Sequence, residues 1–137
     1  MERTLAADDA LSGLAARTND LLAEQAGAFI DAVSLEVLGD QDRFTMVLRS
    51  GPARPDVTVT LDRIHRLTVQ KPPEAGGAFV DEAWVRVLPK APWPDGAEGL
   101  VVRHEHLPDL FWLKVVGPAT VEVVAATITV SVAQAFP

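Results

Sequence analysis

The chain has 137 residues and a formal net charge of −7, from 12 Lys+Arg against 19 Asp+Glu. That length suits one domain, and 48% hydrophobic with 23% charged residues excludes a disordered chain. The absence of cysteine excludes disulfides, thiolate zinc sites and cysteine nucleophiles together.

The first predicted element is a helix over roughly residues 7–25. Leu11, Leu14, Ala15, Leu21 and Leu22 recur at spacings that share one helical face. Asp8 and Asp9 suit its start, where unpaired N–H groups favour carboxylates, and Gly27 suits its stop.

After Gly27 the hydrophobic period changes to two. Val33, Leu35 and Val37 alternate with polar or small residues, as do Phe44, Met46 and Leu48. Gly39-Asp40-Gln41-Asp42 between them predicts a turn, and so an antiparallel hairpin. Two short strands follow, Val57 to Leu61 and Leu67 to Gln70. Lys71-Pro72-Pro73-Glu74-Ala75-Gly76-Gly77 reads as a loop inside one domain, because neither side alone can bury a comfortable core. Further strands are predicted over 79–88, 100–104, 110–116 and 121–132, with Gly117-Pro118 as the last turn. In the final strand Val121 and Val123 lie on odd positions, whereas Ile128, Val130 and Val132 lie on even ones. One face can bury both sets only if a β-bulge near Ala125 bends the strand.

The expected fold is therefore mainly β (α+β). It is an antiparallel β-sandwich or strongly curved sheet of about eight strands, with one N-terminal amphipathic helix. One domain spans 1–137, with a helical segment over 1–27 and the sheet over 28–133. No apolar run approaches the roughly 18 residues of a membrane helix. Met1-Glu2-Arg3-Thr4 does not open a signal peptide. A cytoplasmic protein with no membrane partner is the expectation.

The charge is unevenly placed. Residues 1–42 hold nine acids against Arg3 and Arg17, so the whole net charge lies there. Nucleic acid needs a basic surface, so it is not an expected partner. An acidic front instead steers toward a basic protein.

His104-Glu105-His106 is the one metal-like spacing, since strand residues two apart share a face. His65 or Asp109 would have to supply a third ligand. No nucleophile motif or phosphate-cradling glycine loop is present, which points away from catalysis, and no cofactor is implied. Asp31 has the strand parity of the apolar row Val33, Leu35 and Val37, where a carboxylate needs a partner or a rim position; the favoured alternative is a strand that begins only at Ala32, with Asp31 capping a loop. Trp84 shares a strand face with Glu82 and Arg86, and Trp93 sits in a proline-rich loop. Tryptophan beside arginine is common at the centre of protein interfaces. Asp31, Trp84, Arg86 and Trp93 are thus the candidate partner-binding residues.

Two stretches carry a family resemblance. Phe29-Ile30-Asp31-Ala32-Val33-Ser34-Leu35-Glu36-Val37 resembles the strand opening of immunity proteins from bacterial polymorphic toxin systems, notably the family numbered fifty. There an aromatic and an acidic residue begin the first long strand, and Ile30 stands where that pattern often has His. Phe111 to Gly117 with Val121 to Val130 is similar to the closing hairpin of the same proteins. The resemblance implies a bacterial protein that binds a toxin without catalysis, and Asp31 is the residue it carries over.

Two functions follow as expectations. The first is a non-enzymatic protein-binding module, an immunity protein that neutralises a partner toxin with a basic domain. The second is a β-sheet domain that binds a small ligand or metal ion through His104 and His106, with hydrolysis as its activity. The low-charge segment 127–133 is also a candidate for pairing two copies into a homodimer.

Overall fold

The computed structural model describes residues 2–37, 39, 42–51, 54–71, 79–88, 100 and 109–133. Among the described residues, helix α1 covers Glu2–Ala23, and six strands follow: β1 Phe29–Glu36, β2 Arg43–Arg49, β3 Val57–Gln70, β4 Glu82–Leu88, β5 Leu110–Val116 and β6 Thr120–Val132. They form one antiparallel sheet in the order β1-β2-β3-β6-β5-β4. The fold is mainly β, as expected. The sheet is not closed, and its two edge strands are β1 and β4.

The strand count differs from the expected eight for two reasons. The segments Val57–Leu61 and Leu67–Gln70 are one continuous strand, β3. The predicted strand over 100–104 lies mostly outside the described residues.

The helix starts earlier than the periodicity indicates. It ends at Ala23, and Gly27 closes the following turn at φ 88°, a backbone conformation that glycine adopts without cost. The Gly27 N–H then donates to the Val80 carbonyl, and the Val80 N–H donates to the Ala28 carbonyl. These bonds and the isolated Phe29–Phe79 bridge join the start of β1 to the segment leading into β4. The two edges of the sheet therefore meet at this corner.

The C-terminal segment is one long strand, as expected, but the expected bulge near Ala125 is corrected. β6 is a single strand that buries Val121, Val123 and Ala125 together with Ile128. The irregularity of this ladder sits in its partner strand, β3. The β3–β6 register shifts between Ile64 and Arg66, so the extra residue is His65 of β3 rather than a residue of β6. Arg63 beside it has φ 59°, which turns the backbone out of the pleat.

β3 and β6 form the spine of the sheet. The first half of β3 pairs with β2 on one side and the second half of β6 on the other. The ladder between β5 and β6 ends at Ala125. The segment 127–132 therefore belongs to a strand that is central in the sheet order and is paired with β3 along one side.

The inner face carries the main core. Phe44, Met46, Leu48, Val59, Leu61, Val85, Leu113, Val115, Val121 and Val123 are fully buried there, with Ala15 and Leu22 of α1. A second, smaller cluster lies on the outer face around Leu88, Leu100, Leu110, Trp112 and Val124. β5 is consequently buried on both sides, which suits its nearly unbroken apolar sequence.

The helix also protects an edge. The Asn19 side chain donates to the Val85 carbonyl at 2.9 Å and accepts from the Val85 N–H at 2.7 Å. Asn19 thus occupies the outward-facing backbone groups of Val85 as an added strand would. Asn19→Ala is expected to lower stability by about 2 kcal/mol, for two lost hydrogen bonds at a half-buried site. Chemical denaturation followed by circular dichroism measures that loss.

Candidate functional site

Trp84 and Arg86 do come together. They lie on the outer face of β4, next to Trp112 of β5, which pairs directly with Arg86. The two indoles meet edge to face at 4.9 Å between ring centroids. The Arg86 guanidinium lies 4.5 Å from the Trp84 centroid and 5.9 Å from that of Trp112. A cation over an indole face is held by the ring's negative quadrupole.

Beneath this pair the contacts are structural. Trp112 is buried, and its Nε1–H donates to Glu122 Oε2 at 3.0 Å. Arg66 Nε lies 3.7 Å from the other Glu122 oxygen, and its Nη1 donates to the Leu100 carbonyl at 3.4 Å. The network ties β3, β5 and β6 to the segment at Leu100. Arg86 is exposed and Trp84 half-buried, so these two residues are what the cluster offers to a partner.

Asp31 lies within β1, the other edge strand, so it neither caps a loop ahead of a strand starting at Ala32 nor faces the inner row. The β1–β2 register shifts between Ile30 and Ala32, which makes Asp31 the bulged residue. The bulge reverses the parity on either side of it. Ile30 pairs with Leu48, Val33 with Met46 and Leu35 with Phe44, all inner-face partners. Asp31 instead reaches Arg49 at 3.4 Å, on the outer face. The carboxylate is thereby placed in solvent beside a cation.

The outer face of this half of the sheet shares its cations among more acids. Arg49 also bonds Asp56 at 3.3 Å, and Arg43 bonds Asp62 at 2.7 Å. Hydrogen bonding to Asp56 and the charges of Asp31 and Asp56 hold Arg49 above the ordinary arginine range. Arg43 is raised in the same way by Asp62 and then by Glu36. Both guanidiniums therefore stay charged into strong alkali. Two arginines serve four carboxylates here: Asp31, Glu36, Asp56 and Asp62.

The inner row of β1 is not covered. Val33 is 41% exposed and Leu35 46%, although their partners Met46 and Phe44 are fully buried. Phe29 on the outer face is also exposed and stacks on Phe79, with centroids 4.4 Å apart. Hydrophobic periodicity identified the row correctly as inner-facing. It carries no signal that β1 would be an edge strand, and so it missed the exposure.

The remaining candidates are separated or lie elsewhere. His104, His106 and Trp93 lie outside the described residues. His65 is the bulged residue of β3, and Asp109 precedes β5. Among the described residues no group of three His, Cys, Asp or Glu is placed to hold a metal ion. A cleft of about 240 Å³ lies between the end of α1 and the ends of β3 and β6, lined by Leu21, Gln25, Ser50, Arg54, Val57 and Val132 among others. The Ser50 hydroxyl donates to the buried Gln25 side chain there, which closes off one of its polar groups. No helix among the described residues is long and apolar enough to cross a membrane. Compared with known proteins, the chain matches no family, no curated sequence and no solved structure.

Proposed function

We propose that this chain is a non-enzymatic protein-binding module that acts as an immunity protein, neutralising a partner toxin. The observation that carries the binding reading is the contrast between the two sheet edges. At β4 the backbone groups of Val85 are occupied by Asn19. At β1, beyond the bridge at Phe29, no described strand pairs with the outer edge, and Val33, Leu35 and Val37 are exposed along it. Exposed apolar residues on an open edge are a hazard unless something binds them. The immunity assignment within this reading rests on the resemblance of Phe29 to Val37 to the opening strand of such proteins.

The test is a tag-free affinity capture from native lysate, with mass spectrometry of what elutes, followed by co-expression with the captured protein. One basic protein at near-equal stoichiometry, whose toxicity disappears on co-expression, is the expected result. Elution of background alone removes the reading. A captured protein that is not toxic leaves binding but removes immunity.

A further inference from the structure

We propose that the outer edge of β1 is the docking site, and that its occupant is an extended protein segment alternating basic and apolar residues, added as a seventh strand. This rests on the binding reading above and specifies its surface and partner chemistry.

The backbone argument comes from ladder alternation. In an antiparallel pair, successive residues direct their N–H and C=O groups to opposite sides. The Arg63 N–H donates to the Asp42 carbonyl, so Asp42 faces β3. The even-numbered residues of β2 therefore bond β3, and Arg43, Thr45 and Val47 bond β1. Their partners are Glu36, Ser34 and Ala32. Val33 and Leu35 are left with N–H and C=O groups directed away from the sheet. That is the arrangement a further strand requires.

The side chains then set the chemistry on each face. On the inner side, Val33 and Leu35 offer a half-exposed apolar row that an incoming Val, Ile or Leu would extend. On the outer side β1 carries Asp31 and Glu36 and no cation. The arginines behind them are already shared among four carboxylates. A strand with Lys or Arg on its outer side and apolar residues on its inner side complements both rows. A second copy of this chain does not. Pairing two β1 strands antiparallel through Val33 and Leu35 sets Glu36 of one copy opposite Ala32 of the other, one residue from its Asp31, at both ends. Each copy also brings a charge of −7.

The experiment titrates the ¹⁵N-labelled full chain with three ten-residue peptides: alternating Lys–Val, alternating Glu–Val and alternating Lys–Ser. The Lys–Val peptide is expected to give saturable shifts centred on β1. Exchange of the Val33 and Leu35 amide protons should slow at least tenfold, because those N–H groups gain acceptors. The other two peptides should bind at least tenfold more weakly. Leu35→Pro removes an outward N–H that the β1–β2 ladder does not use, and it should abolish binding. If Leu35→Pro does not fold, Leu35→Lys at this exposed side chain should weaken Lys–Val binding at least tenfold. Equal binding of all three peptides, shifts centred on Trp84 and Arg86, absence of saturable binding, or a dimer broken by Leu35→Lys would each overturn the proposal. A stoichiometric partner captured from lysate alongside failed peptide binding would remove strand addition and leave the binding reading standing. Failure of both would remove both.

Discussion

Gly117→Ala is expected to lower stability by about 3 kcal/mol, near the upper end for inserting one methyl group into a packed site. A Cβ at Gly117 would overlap the Phe79 carbonyl oxygen and sit 3.2 Å from its carbon. Those atoms are backbone, so no side-chain rotation relieves the contact. The segment cannot easily retreat either. The Val80 N–H donates to Ala28, the Asp81 N–H donates to Val116, and Phe79 bridges Phe29. The substitution therefore pushes on the corner where β1 meets the approach to β4. Gly27→Ala is the useful comparison. Its Cβ would meet nothing within 4 Å, and only its φ of 88° opposes the change, at about 1 kcal/mol. Thermal melts of the two variants should rank them in that order. Equal losses would show that glycine's backbone freedom, rather than close approach, decides both sites.

Phe44→Ala is expected to cost about 3–5 kcal/mol, the range for truncating a fully buried aromatic side chain. Phe44 is 0% exposed and belongs to the main cluster, where β2 meets β3 through its pairing with Leu61. Its other cross-strand partner is Leu35 of the open edge. Leu35→Ala, half-exposed, should cost about 1 kcal/mol or less by burial alone. Urea titration of both variants measures the contrast. A Leu35→Ala loss as large as that of Phe44→Ala would mean that β1 is buried in solution by something already bound to it.

The helix, the first hairpin, the single long C-terminal strand and the mainly antiparallel sheet were all legible in the sequence, because each rests on local periodicity. Leu11 to Leu22 repeat at helical spacing, and Phe44, Met46 and Leu48 at strand spacing. Two features were not legible. The first is Asp31, whose parity with Val33 pointed inward until a bulge reversed it. A bulge inserts one residue without changing composition, so only a parity conflict can expose it. Ile30 against Val33 is such a conflict. The conflict between Val123 and Ile128 pointed to a bulge near Ala125 of β6, whereas the extra residue of that ladder is His65 of β3. The second is the treatment of the edges. Asn19 is an ordinary polar helix residue by pattern, and its bonds to Val85 join residues far apart in the chain. Of the candidate site residues, Trp84 and Arg86 were placed on one face correctly. Their ring contacts with Trp112 follow from the β4–β5 register, which no single strand specifies.

The long β3–β6 ladder has a consequence for how the protein is made. It pairs Gln70 with Thr120 and Val57 with Val132, so no contact in the spine is local. On a ribosome adding about 5–20 residues per second, β3 emerges several seconds before its partner. During that interval the chain can form β1–β2–β3, and Val57, Val59 and Leu61 have no β6 beside them. Association of nascent chains competes with folding for that time, and the arrival of β6 ends the competition. Slowing translation over 71–119 with rare codons should therefore lower soluble yield while leaving the stability of the finished protein unchanged.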